Sequence, residues 1–548
     1  MQRVVRAASS AFFLVLMISP FQNCEFSSSQ LDALQKSGDQ KLDSPCDVLP
    51  DCHDVTDYGA AKDGQSDALT AIQRAADAVG DGGTLYFPAG KYLINESGEI
   101  GPMRGGIQIS QKRNVKILGD GADKSIIIDG FNSRLYPDLD LWVGTLALRG
   151  GRNISVSDLG LISRAGFAAD SPSYGGMSNG LLAEGVIGLR IENISSQNYN
   201  SSGIMISSRR EYVSKRCESE QPDPSQNVTI VSNVLAHNRV AGVMLDRTEH
   251  VVVENNHVYG NGSPGDGHTG YGTAASSCGA PRDVTVRNNL VEYNVRKGID
   301  FHSGFDLKVH DNLVIGNGLY GIFFSGEKNL GGSIEVYNNS ISKMNPTLAQ
   351  SIHQLDTVKY PKDLRNDPTG GQVNDIYNSV FGIYFYMRGD PPDPSQAGAI
   401  LPAQVKVYNN KIFDFGGENP PNGVSQSYIA MVLRARYRSY AVFEVKDNEF
   451  DLGDIESFMT ANRVTEQQGR RILTLKNNLI KYKNLTSDRL IYLSQMRQVN
   501  VLDNTFLRQN PTSPNNSWTD AAIVIDPYSK APYLTDPVIT SSGNIWKK

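Results

Sequence analysis

A six-residue phrase recurs along the chain: an apolar residue, any residue, another apolar residue, two further residues and then Asn. It runs, for example, from Val228 to Asn233 and from Leu307 to Asn312. The Asn residues that close the phrases are Asn233, Asn256, Asn289, Asn312, Asn339, Asn410, Asn448, Asn478 and Asn504. Two of the gaps between them are 23 residues, and the longest is 71. A period in the low twenties, lengthened where loops are inserted, predicts a solenoid.

A second phrase follows most of the Asn phrases: Gly, apolar, any, apolar, any. Gly298-Ile-Asp-Phe-His302 is one example. Strand alternation turns Ile299 and Phe301 into the core and places Asp300 and His302 on the outer surface. The Asn residues fall at the turns, where stacked amides bond to one another, so we expect them to be structural. The sequence therefore predicts an all-β parallel β-helix with a register that can be followed from rung to rung.

The outward positions of successive rungs form one stripe, because neighbouring strands lie only about 4.8 Å apart. A rung at 271–276 is expected between the rungs of Asp246 and Asp300. The stripe contains carboxylates, aromatic rings and arginines: Arg209, Asp246, Asp300, His302, Tyr384, Tyr386, Arg388, Arg434 and Arg436. Aromatic faces stack on sugar rings, and guanidinium groups pair with carboxylates. The stripe predicts binding of an extended acidic polysaccharide.

Asp300 and His302 are the strongest catalytic candidates. They lie two residues apart on one strand, so both face the same side, and a carboxylate can orient an imidazole and raise its basicity. Asp246, on an earlier rung, is a candidate for a further carboxylate. The formal net charge of −6 and the lack of a basic tail argue against nucleic acid as a partner. The sequence gives no indication of oligomeric state.

The first 23 residues predict an export signal, with Arg3 and Arg6 ahead of the apolar stretch 7–18. Cys24 is a candidate for lipidation, which would place the protein on a bacterial outer membrane or cell surface; otherwise it would be secreted or periplasmic. Residues 24–50 predict a flexible tether. The β-helix domain then covers 51–548, with inserted loops near 211–225, 263–281 and 345–377.

Four cysteines remain beyond Cys24, and an even number in an exported protein indicates disulfides. The simplest pairing joins Cys46 with Cys52 and Cys217 with Cys278; free thiols are the alternative. No cysteine and histidine cluster indicates a zinc site.

The opening segment of the domain combines a Tyr58-Gly-Ala-Ala-Lys-Asp-Gly64 run, an amphipathic stretch and Phe87-Pro-Ala-Gly90. Leu69, Ile72, Ala75, Ala76 and Val79 recur at helical spacing, which predicts a short capping helix over the open end of the solenoid. This segment resembles the pectate-lyase-like superfamily of rhamnogalacturonases, polygalacturonase-like hydrolases and epimerases. The resemblance implies a right-handed parallel β-helix and specifies the fold more than the reaction.

Gly298-Ile-Asp-Phe-His302 also resembles the Tyr-Gly-Phe-Asp-Pro-His motif of mannuronan C-5 epimerases. Gly298, Asp300 and His302 match it, whereas Lys297, Phe301 and Ser303 occupy positions where the family has Tyr, Pro and Asp. The resemblance implies a uronate substrate. Arg209, Arg388 or Lys297 would then neutralise the sugar carboxylate, and His302 or a tyrosine would remove the C5 proton. Elimination makes the protein a lyase, and reprotonation makes it an epimerase.

Two other functions remain open. An inverting glycoside hydrolase of the polygalacturonase or rhamnogalacturonase type needs two carboxylates about 6.5–9.5 Å apart, which Asp246 and Asp300 could supply. A non-catalytic glycan-binding surface protein would use the same stripe and tether. No cofactor is indicated; the family resemblance leaves calcium open, although no clustered aspartate motif supports it.

Overall fold

The computed structural model describes residues 44–99, 105–132, 135–136, 142–166, 177–208, 223–262, 269–276, 279–325, 330–342, 379–388, 403–415, 427–436, 441–453, 455, 457–461, 471–483, 485, 490–493, 496–509, 523–525 and 538–547. The chain divides into residues 1–48 and 49–548. In the first unit a 3₁₀ helix spans Pro45–Asp47. The second unit is a right-handed parallel β-helix, as predicted.

Three parallel sheets form the sides of the β-helix, and the chain passes through sheets A, B and C in turn. Sheet A contains Cys52–Asp54, Thr84–Phe87, Lys116–Gly119, Arg152–Ser157, Ile187–Glu192, Ser225–Val231, Thr248–Glu254, Arg282–Arg287, Gly304–His310, Leu330–Tyr337, Ala403–Tyr408, Ala441–Lys446, Arg471–Lys476, Gln498–Leu502 and Val538–Ser542. Sheet B contains Asp63–Asp67, Gly90–Ile94, Ser125–Asp129, Gly160–Ser163, Ser195–Gln197, Val234–Ala236, His257–Tyr259, Leu290–Glu292, Leu313–Ile315, Ser340–Ser342, Lys411–Phe415, Glu449–Leu452, Leu479–Tyr482, Thr505–Arg508 and Ile545–Lys547.

Sheet C contains Ile107–Ser110, Trp142–Arg149, Met177–Glu184, Ser202–Ser207, Ala241–Leu245, Tyr271–Ala275, Lys297–Phe301, Tyr320–Ser325, Ser379–Arg388, Ser427–Arg436, Ser457–Ala461, Ile491–Leu493 and Ile523–Ile525. The strand Tyr271–Ala275 pairs with Ala241–Leu245 on one side and with Lys297–Phe301 on the other, which confirms the extra rung. It also lies inside the interval 263–281 that was predicted to be an inserted loop.

The inward columns form one continuous apolar core. Ile299 and Phe301 are fully buried in it, as alternation predicts. Phe301, Phe324 and Phe385 occupy the same register position on three consecutive rungs of sheet C. Their ring centroids are 5.7 and 4.9 Å apart and their planes are nearly parallel. Repeated side chains at one position thus stack along the axis, which is why the register stays constant.

The asparagines form the predicted ladder at the turn between sheets A and B. Asn256, for example, donates its backbone N–H and its Nδ2 to Asn289 Oδ1, at 3.0 and 2.9 Å. The ladder continues past Asn504 to Asn544. A second ladder, which the sequence reasoning missed, lies between sheets B and C and links Asn238, Asn261, Asn294 and Asn317. Its signal was present: each member follows a first-ladder Asn by five residues.

Four of the glycines that open sheet C phrases, Gly203, Gly242, Gly272 and Gly298, lie against asparagines of this second ladder. A Cβ added to Gly298 would lie 2.7 Å from both Gly321 O and Val314 Cγ1, and 2.9 Å from Asn317 Nδ2. These distances are too short for any side chain to fit without displacing the backbone. The Gly of the motif therefore has a packing role at the corner beside the site.

The helix Leu69–Ala78 closes the N-terminal end, as predicted, with a 3₁₀ helix at Val55–Tyr58 before it. Asp67 Oδ1 accepts a hydrogen bond from Leu69 N at 2.8 Å. Gln73 bonds to both main-chain groups of Gln108 in the first strand of sheet C, at 2.9 and 2.8 Å. Its side-chain amide thus pairs with backbone groups of the first strand of sheet C that have no preceding strand to bond to.

Within the described ranges, no helix has the length and apolar character needed to cross a membrane. Cys46 and Cys52 are each disulfide-bonded. Cys24, Cys217 and Cys278 lie outside the described residues, and so do most of the predicted tether and of the loops near 211–225 and 345–377.

Candidate functional site

The candidate site lies on the outer face of sheet C, on the strand Lys297–Phe301 and the residue that follows it. Asp300 Oδ2 is 2.8 Å from His302 Nε2 and 3.0 Å from Lys297 Nζ. Lys297 Nζ is also 3.3 Å from His302 Nε2. The structure therefore brings together three residues of the predicted site, and one carboxylate oxygen is shared between an imidazole and an ammonium.

Asp300 was predicted to be on the surface, and this was wrong. Its side chain has no solvent exposure, and that of His302 is 19% exposed. Alternation correctly turns Asp300 away from the apolar core. It does not show that Lys297, at the start of the strand, and His302, just after its end, close over the carboxylate. Asp300 Oδ1 is also buried and accepts no hydrogen bond from the described part of the chain.

Electrostatics around Asp300 favour the carboxylate. Burial raises the pKa of the Asp300 carboxyl, but the charges and hydrogen bonds of His302 and Lys297 outweigh burial and lower the pKa overall. The imidazole contributes a charge here because a carboxyl titrates in acid, below the usual pKa of histidine. An ionised Oδ2 can only accept, so His302 Nε2 must carry the proton that bridges the 2.8 Å separation. The neutral imidazole then has its lone pair on Nδ1. Nδ1 is buried as well, so a base role requires the ring or its cover to move when substrate binds.

Aromatic rings surround the ammonium of Lys297. Its Nζ is 3.9 Å from the ring centroid of Phe323, 4.9 Å from that of Tyr271 and 5.8 Å from that of Tyr320. Tyr271 and Tyr320 pair with Lys297 on the rungs before and after it. Sequence reasoning missed both tyrosines, although each directly precedes the Gly of its phrase, as Lys297 does. Lys297, predicted to contact substrate, is only 5% exposed and faces Asp300.

A cluster of aromatic side chains adjoins the site on the following rungs. Phe323 and Tyr384 are buried at 7% exposure each, and the half-buried Tyr320 and Tyr386 pack against them. The ring centroids of Phe323 and His302 are 6.0 Å apart. This cluster, Tyr320, Phe323, Tyr384 and Tyr386, contains both tyrosines predicted to contact sugar.

Asp246 lies in the same register column as His302, two rungs away, with Ser276 between them. Two rungs correspond to about 9–10 Å. Ser207 Oγ donates to Asp246 Oδ2 at 3.2 Å, and Ser276 Oγ donates to Oδ1 at 2.7 Å. Asp246 is thus a buried carboxylate held by serines from the rungs on both sides, while Asp300 lies in the neighbouring column.

The same column extends further towards the N-terminus than sequence reasoning followed it. Glu184 is in register with Ser207 and with Arg149. Arg149 Nε is 3.4 Å from Glu184 Oε2. On the C-terminal side, Arg434 is in register with Tyr386, and Arg436 with Arg388. The side chains of Arg388, Arg434 and Arg436, and the whole of Arg209, lie outside what the structure describes.

No three His, Cys, Asp or Glu side chains in the described ranges are arranged to hold a metal ion. Ser303, at the position where the epimerase motif has Asp, donates its hydroxyl to Ser276 O at 2.8 Å. It joins two rungs of the β-helix.

Two family descriptions match the chain. Residues 52–136 match "Rhamnogalacturonase A/epimerase, pectate lyase-like", and residues 174–341 match "Right handed beta helix region". The first covers the opening segment and the capping helix, and the second covers the rungs from Met177 past the candidate site. The predicted resemblance to the pectate-lyase-like superfamily is confirmed.

Known proteins show the same similarity. The mannuronan C5-epimerase AlgE1 of Azotobacter vinelandii is 28% identical over 277 residues, which cover 49% of this chain and 17% of that protein. The plasmin and fibronectin-binding protein A of Streptococcus pneumoniae is 25% identical over 82% of this chain and 56% of its own length. Among solved structures, the A-module of the A. vinelandii epimerase AlgE4 superimposes with a TM-score of 0.45 and 16% identity over 89% of this chain and all of that module.

Proposed function

We propose that this protein is an exported enzyme that acts on an acidic, uronate-containing polysaccharide, and that it removes the C5 proton of a uronate residue at Asp300 and His302. The observation that carries the proposal is the 2.8 Å contact between His302 Nε2 and Asp300 Oδ2 on the outer face of sheet C. The similarity to mannuronan C5-epimerases supports the substrate class.

Asp300 orients the imidazole and His302 acts as the base. Because Nε2–H donates to the carboxylate, Nδ1 is the nitrogen that takes the C5 proton. The proton is acidic because C5 is adjacent to the sugar carboxylate, and a cation beside that carboxylate acidifies it further. Lys297 is already held by Asp300, so the better candidates for this cation are Arg388, two rungs further along sheet C, and Arg434 and Arg436, three rungs further.

The carbanion formed at C5 has two outcomes. If its electron pair forms a C4–C5 double bond and expels the 4-linked sugar, the enzyme is a lyase. If a proton returns from the opposite face of the ring, it is a C5-epimerase. The second outcome requires an acid on the other side of the sugar, for which Tyr320 and Tyr386, both half-buried, are candidates. The aromatic cluster also provides ring surface on which the neighbouring sugars can stack.

Lipidation of Cys24 and export of the mature chain belong to the same proposal. A polysaccharide is met outside the cytoplasm, and the basic and apolar residues at the N-terminus fit an export signal. Mass spectrometry of the protein from membranes of its host would detect a diacylglyceryl group on Cys24.

Two alternatives have specific support. An inverting hydrolase would use Asp246 and Asp300, whose strands are two rungs apart, about the spacing of such carboxylates. A non-catalytic surface-binding protein is favoured by the match to the plasmin and fibronectin-binding protein over most of the chain. The burial of Asp300 is compatible with that alternative, because a buried ion pair can be purely structural.

The test is a polysaccharide screen with alginate, pectate and glycosaminoglycans. Absorbance of a new double bond reports a lyase, reducing ends without unsaturation report a hydrolase, and a change in uronate stereochemistry seen by NMR reports an epimerase. His302→Gln should abolish lyase or epimerase activity. His250→Gln is a matched control, because His250 is exposed and pairs with Asp283 away from sheet C. Full activity of His302→Gln would remove the site assignment.

A further inference from the structure

We infer that Lys297 is a positioning residue that keeps His302 a neutral imidazole, by balancing the charge of Asp300 from within the same strand. The inference concerns a position where this chain departs from the epimerase motif. Its importance for catalysis rests on the proposed function, but the electrostatic effect itself does not.

The geometry places Lys297 against both other members of the group. Its Nζ is 3.0 Å from Asp300 Oδ2 and 3.3 Å from His302 Nε2. A lysine donor at Nε2 would leave two lone pairs facing each other across the 2.8 Å contact between Nε2 and Oδ2. Both the ammonium and Nε2–H therefore donate to Oδ2, and the ammonium lies beside the imidazole without bonding to it.

A carboxylate beside a histidine favours the imidazolium form, and a nearby cation disfavours it. Asp300 alone would therefore tend to hold His302 protonated, in which state Nδ1 has no lone pair for a base. The ammonium opposes this, and the effect is strong because the Asp300 and Lys297 side chains are only 0 and 5% exposed. With both the Asp300 carboxylate and the Lys297 ammonium present, the carboxylate can orient the imidazole of His302 while the imidazole stays neutral and able to accept a proton.

In the described part of the adjoining rungs, aromatic rings lie against the imidazole of His302. The rung before it contributes Tyr271, whose ring centroid is 5.9 Å from that of the imidazole. The rung after it contributes Phe323, with Tyr320 beside Lys297. Asp246 is one rung beyond Ser276 in the same column and bonds to that serine. Lys297 is thus the nearest cation to His302 in the described part of the site.

The ring faces around Lys297 keep this cation in place. Phe323, Tyr271 and Tyr320 each direct a negative π-face towards Nζ, which stabilises the ammonium form and its position. Lys297 is therefore a fixed charge that acts through His302 and is not itself a base.

The experiment is a pH titration of the full-length protein labelled with ¹³C at histidine Cε1. The His302 signal is assigned by its loss in His302→Gln. In Lys297→Met, the titration midpoint of that signal should move to higher pH, by roughly one pH unit, because a nearby cation has been removed. Lys297→Arg should restore the parent midpoint. Lys308→Met, which removes an exposed lysine on sheet A, is the control and should leave the midpoint unchanged.

The outcomes separate this inference from the proposed function. An unchanged or lowered midpoint in a folded Lys297→Met protein would overturn the inference, whether or not the enzyme is active. A raised midpoint without activity on any polysaccharide would support it and count against the proposed function. If Lys297→Met does not fold, a parent midpoint in Lys297→Arg and a raised one in Lys297→Gln serve the same purpose. In an active enzyme, the acidic limb of kcat/KM should move with the midpoint.

Discussion

At the scale of single residues, the site depends on the balance of charge among Lys297, Asp300 and His302. The two-residue spacing of Asp300 and His302 does not reveal the part of Lys297. Asp300 is fully buried, and a buried carboxylate is stable only when it is paired. The partners differ in kind, because Lys297 is an ammonium packed among aromatic rings, whereas an imidazole gains or loses its charge near neutral pH.

This difference predicts unequal costs for removing the two charges. Asp300→Leu leaves the buried ammonium without its partner and should lower the unfolding free energy by about 3–5 kcal/mol. Lys297→Met should cost less, because His302 can become protonated and take over as the cation beside Asp300. The double variant should cost less than the sum of the single ones. Denaturant unfolding of all four proteins checks this, and equal single costs with strict additivity would contradict it.

The lowered pKa of Asp300 predicts a pH dependence of stability. The group is harder to protonate in the folded state than in the unfolded state, where its pKa is near the usual 3.8. Its contribution is therefore fully present above that value and is lost as pH falls through the folded-state pKa. Unfolding free energies measured from pH 7 downwards should fall in acid, and the fall should be smaller in Asp300→Asn. Parallel curves for the two proteins would contradict the prediction.

At the scale of structural elements, the two asparagine ladders hold the turns that set the register. Every interior ladder Asn both donates and accepts along the axis, so the loss of one leaves unpaired polar groups on two rungs. The glycines of sheet C leave room for the second ladder. The site residues occupy their columns because these corners are fixed.

Asn289→Ala should lower the unfolding free energy by about 2–4 kcal/mol, because two buried donors of Asn256 lose their acceptor. Asn500→Ala is the matched control: its amide makes a part-buried bond to Thr474 on the outside of sheet A, so its cost should be much smaller. Chemical denaturation compares the two. Similar costs would indicate that the ladder bonds are replaced by water.

At the scale of the whole molecule, the two ends of the β-helix differ. The helix Leu69–Ala78 covers the first rungs, with six buried residues. The last strand of sheet A, Val538–Ser542, is exposed throughout, and Ile539 is 52% exposed in a column that is otherwise core. Trp546 stacks on Phe506 at this end, with a centroid separation of 4.2 Å.

Solenoid rungs are stabilised by their neighbours. Protection of the backbone amides from hydrogen exchange should therefore be lower at the exposed C-terminal end than at the capped N-terminal end. Hydrogen exchange should be fastest in Val538–Ser542 and Ile545–Lys547, and slowest in the central strands around Arg282–Arg287 and Lys297–Phe301. The capped strands near Thr84–Phe87 should be intermediate or slow. Mass-spectrometric exchange of the intact protein measures all of these segments together. Uniform protection along the axis would show that the rungs unfold as one unit.

The sequence by itself determined the repeat, the register and the division of most strand residues between the core and the outer face. Period and alternation are local properties, and they placed Ile299 and Phe301 in the core and predicted the rung at 271–276, where the strand Tyr271–Ala275 lies. The opening segment likewise specified the capping helix, because its apolar residues recur at helical spacing.

Only the tertiary structure decided how the outward residues meet. Tyr271, Lys297 and Tyr320 come from three rungs, 26 and 23 residues apart in the chain, and their contact depends on strand pairing across the intervening turns. Burial of Asp300 depends on where the Lys297 and His302 side chains lie, which alternation leaves undetermined. Spacing along one strand indicates which face a residue occupies, whereas the packing of neighbouring side chains decides whether that face is exposed and how its charges interact.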